Sequence, residues 1–206
     1  MKQRLSPELT HLVDWSVSEL GKVIESEIGT AGFRRIENIR RFVKKPEQRK
    51  LAGLLQLKTE LESFSQAEQY QVAHAFALML ELINSCESAY RAYRLRQEDR
   101  GEHVLVRDYE RVIHVLTAHP TESRSPDIIF YFKKIQKLLE RRLEKSRPED
   151  EKELRNLLIW AWQIPMSKQR RPSVMDEAAY IYSLALDRDI IEVYLKQRSS
   201  KQPFYI

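Results

Sequence analysis

One short segment of the sequence, residues 115–122 (VLTAHPTE), combines a titratable side chain with a restricted backbone. His119 has an ordinary pKa close to neutrality, so it can exchange a proton with a substrate or stabilise an anion that develops during a reaction. Pro120 disfavours helical dihedral angles at the residue before it and holds His119 extended. These residues make His119 a candidate for general acid–base catalysis or anion stabilisation.

The elements around His119 are predicted to present it at a turn. Residues 112–116 (VIHVL) are mostly β-branched or apolar, which predicts a short extended segment over 112–118. Thr121 or Ser125 can cap the helix that follows, with Pro126 in its first position. Barrel enzymes display catalytic groups at the ends of strands in this way. A histidine in such a turn can also serve only as a hydrogen-bonding support, and at this point both interpretations stay open.

The rest of the chain is predicted to be helical, because its apolar residues recur at helical spacing and its prolines fall between these runs. Ser6 and Pro7 open the first helix, and Gly29 closes it. Ser65 and Glu68 form a capping box at the start of the longest helix. The remaining helices are predicted over residues 32–44, 48–62, 126–144, 148–162 and 174–196. The fold class is therefore all-α, a multi-helix antiparallel bundle with one short extended segment around residues 112–118.

The longest helix carries an apolar stripe with alternating steps of four and three residues, which is typical of a helix face turned to a core. Its members are Val72, Phe76, Met79, Ile83, Cys86, Tyr90 and Tyr93. Cys86 is the only cysteine, which excludes an intramolecular disulfide and a cysteine-rich zinc site, and it is predicted to be inert core. His74, on the same helix, is predicted to be structural.

Length and composition predict a single soluble domain of 206 residues, with a helical part (1–111) followed by the extended segment and further helices (112–206). Acidic and basic residues are interspersed, as over 133–155, which is typical of solvated helix faces and disfavours a nucleic-acid groove. The net charge of +5 suits a small anionic ligand equally well. No apolar run approaches the roughly 20 residues of a membrane span, and the polar N-terminus is unlike a signal peptide, so a cytoplasmic location is expected.

The sequence also excludes several kinds of site. Only five glycines occur and the last is Gly101, so no glycine-rich loop can hold a phosphate near His119. No pair of histidines four residues apart, EF-hand loop or carboxylate cluster predicts a self-contained metal site. No serine lies in a nucleophile elbow.

Several segments resemble the phosphoenolpyruvate carboxylase family. Residues 115–122 look like the histidine signature of that family. The other similar stretches, in chain order, are 17–24 (VSELGKVI), 36–40 (IENIR), 72–76 (VAHAF), 82–87 (LINSCE), and Trp162 followed by 171–178 (RPSVMDEA). Their order and approximate spacing are kept over residues 12–186, so the resemblance is specific.

The resemblance implies a lyase that carboxylates phosphoenolpyruvate with bicarbonate, using Mg²⁺ or Mn²⁺, to give oxaloacetate and phosphate. In that family the signature histidine assists the carboxyphosphate and carboxyl-transfer steps, and in this sequence that residue is His119.

The sequence departs from the family pattern where the family carries charge. An arginine pair three and four places after the signature glutamate is replaced by Ser125 and Pro126, and Arg124 is interpreted as its displaced remnant. The family's Trp-x-Thr-Asp-Glu-x-Arg element has become residues 162–168 (WQIPMSK), in which Lys168 is the remaining cation. Arg124 and Lys168 are therefore the candidate contacts to an anion, beside His119 as the candidate catalytic residue.

Two functions from different classes follow. Family members are several times longer, and their metal-binding acids, substrate arginines and glycine-rich loop have no counterpart here. A single strand at 112–118 also cannot satisfy its edge hydrogen bonds without partner strands. The first function is that of an N-terminal portion of the enzyme. Alone, this portion is expected to bind no Mg²⁺ or Mn²⁺ and to be inactive, and phosphoenolpyruvate and bicarbonate are the expected ligands of an active enzyme.

The alternative is a non-catalytic helical module, derived from the carboxylase scaffold, that binds a protein partner or forms a homo-oligomer. The lost charges favour the module, and the retained signature favours the enzyme.

Overall fold

A computed structural model describes residues 6–45, 50–99 and 124–167, together with Ser173 and Met175. The helices in these ranges are α1 (Pro7–Lys44), α2 (Leu51–Glu62), α3 (Gln66–Asp99), α4 (Pro126–Glu144) and α5 (Asp150–Gln163). They confirm the all-α, multi-helix bundle. The extended segment predicted at 112–118 and the helix predicted at 174–196 lie outside the described residues.

The helix starts follow the capping residues read from the sequence. Ser6 Oγ accepts a hydrogen bond from the Leu9 N–H at 3.1 Å, and Pro7 takes the first position of α1. The Ser65 N–H donates to Glu68 Oε2 at 2.9 Å, and the Glu68 N–H donates to Ser65 Oγ at 3.4 Å. Side chains thus satisfy backbone donors that have no partner within the helix. Both predicted caps are confirmed.

Gly29 divides α1 into two helical segments. Its φ of 75° and ψ of 165° fall in a region that essentially only glycine adopts, and no atom within 4 Å would meet a Cβ there. The backbone conformation, and not crowding, therefore requires the glycine. The prediction that the first helix closes at Gly29 is confirmed, but helical structure resumes at the next residue, earlier than the predicted start at 32.

The buried face of α3 is centred one residue away from the predicted stripe. Val72 and Cys86 are buried as predicted, but the fully buried apolar side chains between and beyond them are Leu78, Leu82 and Ala89. The predicted stripe members one position later are only partly buried, namely Met79, Ile83 and Tyr90. Spacing alone does not separate adjacent apolar positions, and packing against α1 selects the deeper one.

Side-chain contacts fix α1 and α3 as an antiparallel pair. The Cys86 thiol donates to Ser16 Oγ at 3.5 Å, and Tyr90 Oη donates to Glu8 Oε2 at 3.3 Å. Later positions on α3 therefore meet earlier positions on α1, so the two helices run antiparallel. The short turn at 145–149 makes α4 and α5 the second antiparallel pair.

The two pairs meet with α1 parallel to α5. Arg155 bonds Glu19, and Gln163 Nε2 donates to Glu27 Oε2 at 2.6 Å, so position numbers rise together along both helices. The predicted antiparallel arrangement thus applies within each pair and does not extend to the contact between the pairs.

The chain divides into two compact units. Unit 1 comprises Met1–Leu105 and Asp127–Met166, and unit 2 comprises Val106–Pro126 and Ser167–Ile206. Unit 1 contains the main core, to which α1, α3, α4 and α5 contribute fully buried side chains such as Leu20, Leu82, Leu139 and Leu158. None of the described helices has both the length and the apolar character needed to cross a membrane.

Candidate functional site

Of the three candidate site residues, the structure describes Arg124, whereas His119 and Lys168 lie outside the described residues. Arg124 is partly buried and pairs with Ser167 in an isolated antiparallel β-bridge within unit 2. Ser167 immediately precedes Lys168 in the sequence. The bridge therefore joins the two chain segments that carry the predicted anion contacts.

The last turn of α5 is held by a histidine of α3. His74 Nε2 lies 3.0 Å from the carbonyl oxygen of Trp162, which belongs to the group of C-terminal carbonyls that a helix cannot pair internally. Because a carbonyl only accepts, the proton lies on Nε2. The Tyr70 ring stacks on the imidazole with centroids 5.5 Å apart, and the Trp162 ring meets it edge-on at 4.8 Å. Burial lowers the pKa of His74, and its bond to the carbonyl opposes this only in part. These contacts agree with the structural role predicted for His74.

A buried carboxylate joins α1 to α5. Glu19 is 2% exposed, and it accepts hydrogen bonds from Lys22 Nζ at 2.5 Å and from Arg155 Nη2 and Nε at 2.8 and 3.1 Å. Burial raises the pKa of the Glu19 carboxyl, but the bonds from Lys22 and Arg155 together outweigh it and leave the pKa below its ordinary value. Glu19 is therefore ionised at neutral pH and suited to ion pairing, not to proton donation.

A second buried carboxylate fixes the turn between α4 and α5. Asp150 is fully buried, with Arg141 Nη2 donating to Oδ1 at 2.8 Å and the Arg147 backbone N–H donating to Oδ2 at 2.9 Å. Arg142 Nη1 lies 3.8 Å from the same Oδ2. Burial raises the pKa of Asp150, and these donors and charges lower it to a net value below the ordinary one. The ionised Asp150 thus holds the turn and its cations in place.

Sequence reasoning did not single out either carboxylate. For Glu19 a signal was present, because it lies in register with Leu9, Leu12 and Ser16, all on the buried face of α1. A carboxylate on an apolar helix face predicts a buried ion pair. Asp150 follows Arg147 by three residues, a spacing that suits a side chain bonding back to a backbone N–H before a helix.

The described residues do not provide a metal site. No three histidine, cysteine, aspartate or glutamate side chains come together within the described ranges in a way that could hold a metal ion. The two buried carboxylates, Glu19 and Asp150, are already bonded to cationic side chains. These residues therefore do not fit the Mg²⁺ or Mn²⁺ that the resemblance implies.

Comparison with known proteins identifies the family. The sequence profile described as phosphoenolpyruvate carboxylase matches residues 13–109 and 103–192. The phosphoenolpyruvate carboxylase of Hahella chejuensis is 28% identical over 213 residues, which cover 89% of this chain and 24% of the relative. The enzyme of Aromatoleum aromaticum is 28% identical over 193 residues (78% of this chain, 21% of the relative). That of Salmonella typhi is 28% identical over 198 residues (82% and 22%).

The chain thus spans less than a quarter of the length of these relatives. The profile nevertheless matches well over half of the chain, including the segment around His119. The chain therefore belongs to the phosphoenolpyruvate carboxylase family.

Proposed function

We propose that this chain supplies the histidine-bearing N-terminal part of a phosphoenolpyruvate carboxylase active site. The family match supports this proposal, because it includes position 119 and the helices on both sides of it. In the proposed reaction, bicarbonate takes the phosphoryl group of phosphoenolpyruvate to form carboxyphosphate and the enolate of pyruvate. The enolate carbon then takes the carboxyl group, which gives oxaloacetate and releases phosphate. His119 exchanges a proton with these anions and stabilises their developing charge.

Arg124 and Lys168 are the proposed contacts to the substrate anions. The bridge between Arg124 and Ser167 supports this assignment, since it pairs the segments in which the two cations lie. Arg124 comes shortly before the first residue of α4, and Ser167 follows closely after α5.

The isolated chain is proposed to be catalytically inactive. Phosphoryl and carboxyl transfer between anions requires fixed positive charge where the negative charge develops, and this term is usually the largest in catalysis. The described residues offer no metal site, and their buried carboxylates are engaged in ion pairs. The Mg²⁺ or Mn²⁺ of the family would then be held by residues other than these.

The test is a chimaera in which this chain replaces the matching part of the Hahella chejuensis enzyme. Oxaloacetate formation is measured with phosphoenolpyruvate, bicarbonate and Mg²⁺ for the isolated chain and for the chimaera. We expect turnover from the chimaera only, and a loss of about 10²- to 10⁴-fold in kcat on His119→Ala, the usual contribution of a general acid or base. The matched control is His11→Ala, which alters an exposed histidine.

Three outcomes would contradict the proposal. Turnover by the isolated chain would refute its inactivity. A folded chimaera without turnover would refute its place in the site, and equal kcat values for His119→Ala and His11→Ala would refute the role of His119. Folding of each variant is read from the cooperativity of its thermal unfolding.

A non-catalytic interaction module is the second candidate, and the exposed leucines of α2 favour it. Leu57 and Leu61 pack against the core, while Leu51, Leu54 and Leu55 are 73%, 53% and 55% exposed. Leu54 and Leu55 lie three and four positions after Leu51, so the three leucines are neighbours on one helix face. The proposed occupant of this face is the same face of a second copy, since a self-complementary contact forms a closed dimer.

Sedimentation equilibrium distinguishes this candidate. A dimer that dissociates on Leu55→Lys, but persists on Gln56→Lys, would support the module, because Gln56 is exposed on the same helix and the two changes add the same charge. A monomer at all concentrations, or equal dissociation by both variants, would contradict it.

A further inference from the structure

A pocket opens between the N-terminal half of α1 and the turn that joins α4 to α5. Its volume is about 410 Å³, which lies in the range of sites for small molecules. Its walls are formed by Trp15, Arg142, Ser146, Arg147, Pro148 and Glu151. All of them belong to unit 1, and none belongs to the candidate carboxylase residues.

The two arginines of this pocket are held in different ways. The Arg142 guanidinium stacks over the Trp15 ring at 3.8 Å from its centroid, and its side chain is 19% exposed. Arg147 is exposed, and its guanidinium has no hydrogen bond or ion pair with any residue in the described part of the chain. One cation is thus fixed in orientation, and the other has all its donors available to a ligand.

The wall that carries Arg147 is rigid before any ligand binds. The Arg147 N–H donates to Asp150 Oδ2 at 2.9 Å, and the Asp150 N–H donates to the Arg147 carbonyl at 3.2 Å. Pro148, between them, has a fixed φ. Asp150 itself is fully buried and bonded to Arg141. A turn closed in this way costs little further entropy when a ligand is bound.

The charge of the pocket wall is positive. Glu151 is its one carboxylate, and it is already 2.7 Å from Arg155 Nη2 and 3.5 Å from Lys22 Nζ. Asp150 lies behind the wall, where it is bonded to Arg141 and also lies 3.8 Å from Arg142 Nη1. Arg142 thus shares its charge in part with Asp150, whereas the Arg147 guanidinium has no carboxylate partner in the described part of the chain, and the wall keeps a net positive charge for a ligand.

We propose that this pocket binds a small molecule that carries a phosphate group. Arg142 and Arg147 contact the phosphate oxygens, and the Ser146 hydroxyl donates to one of them. Guanidinium groups match phosphate in geometry as well as in charge, and two of them on a rigid wall suit a dianion. The volume leaves room beside the phosphate for a group of a few carbon atoms.

The test is a calorimetric titration of the full chain with glycerol 3-phosphate, with glycerol as the uncharged comparison. We expect saturable one-to-one binding of glycerol 3-phosphate alone. Arg147→Gln should weaken it about tenfold, because a charge-assisted hydrogen bond is lost. Lys145→Gln removes the same charge from a side chain outside the pocket wall and should change the Kd less than about twofold.

Arg147→Gln is suitable because it keeps the backbone bonds of the turn and alters an exposed side chain, and unchanged helical circular dichroism verifies its fold. No saturable binding of glycerol 3-phosphate would overturn the proposal. Equal binding of glycerol would also overturn it, and so would equal weakening by Lys145→Gln and Arg147→Gln. Either result would mean that the pocket does not recognise the phosphate group.

Discussion

Replacing Glu19 by glutamine tests the ion pair that joins α1 to α5. The substitution keeps the size of the side chain and removes its charge. One amide oxygen can still accept from Arg155, but the amide nitrogen then faces Lys22 Nζ, which lies 2.5 Å from Oε1 in the native protein. Two donors would thus meet each other at a position that is 2% exposed.

The expected cost to the free energy of unfolding is about 2 kcal/mol. Removing one partner of a buried ion pair costs roughly 3–5 kcal/mol, and the cost expected here lies below that range because the Arg155 and Lys22 side chains are 40% and 53% exposed and can turn to water. In a chain of this length, such a loss lowers Tm by about 4–8 °C. Asp14→Asn is the matched control, since Asp14 is an exposed acid on the same helix.

The measurement is urea unfolding of the native protein and both variants at neutral pH and below pH 4.5, the ordinary pKa of a glutamate. The pKa of Glu19 in the folded state is lowered, so its contribution to stability is complete above the unfolded pKa and is lost as the pH falls through the folded pKa. The difference between the native protein and Glu19→Gln should therefore shrink in acid. A difference that is independent of pH, or an equal loss in Asp14→Asn, would refute the reasoning.

Three further predictions concern the core and the backbone. Burial raises the pKa of the Cys86 thiol to about 11, so alkylation by iodoacetamide at pH 8 should be slow in the native protein and fast in urea; equal rates would contradict its burial. Leu158→Ala should cost about 2–5 kcal/mol by calorimetry, because its side chain is fully buried, whereas Leu51→Ala at an exposed position should stay within about 0.5 kcal/mol. Gly29→Ala should cost about 1–3 kcal/mol, because φ is 75° there, and Gly21→Ala, within a helix where a Cβ makes ordinary contacts, should not destabilise; equal Tm values would show that Gly29 is not constrained.

Local signals made the helices predictable. Ser6, Ser65 and Pro126 act within one turn of the chain, so the starts of α1, α3 and α4 follow from residues that lie next to each other in sequence. Gly29 is similar, since its conformation is a property of one residue. The depth of each side chain was less predictable, because it depends on which neighbouring helix covers it, as Leu78 and Leu82 illustrate on α3.

The candidate site was predictable only as far as its motif. His119 and its neighbours were recognised from the order of residue types, and Arg124 from a displaced pattern. The pairing of Arg124 with Ser167 joins residues far apart in sequence, so no local pattern reports it. The same reason hid the partner of Glu19: its register on the buried face of α1 indicates a buried ion pair, but Arg155 lies 136 positions later.

That separation has a consequence for the order of events during synthesis. A chain leaves the ribosome from its N-terminus, at about 5–20 residues per second, so α1 is complete long before α5 exists. Until Arg155 emerges, Glu19 can be bonded by Lys22 but lacks the two hydrogen bonds from the guanidinium. The α1–α3 pair can form early, because its contacts need only the first half of the chain. The face of the α1–α3 pair that later contacts α5 then exposes the Glu19 carboxylate to water. This charge disfavours an apolar contact on that face before α5 has been synthesised.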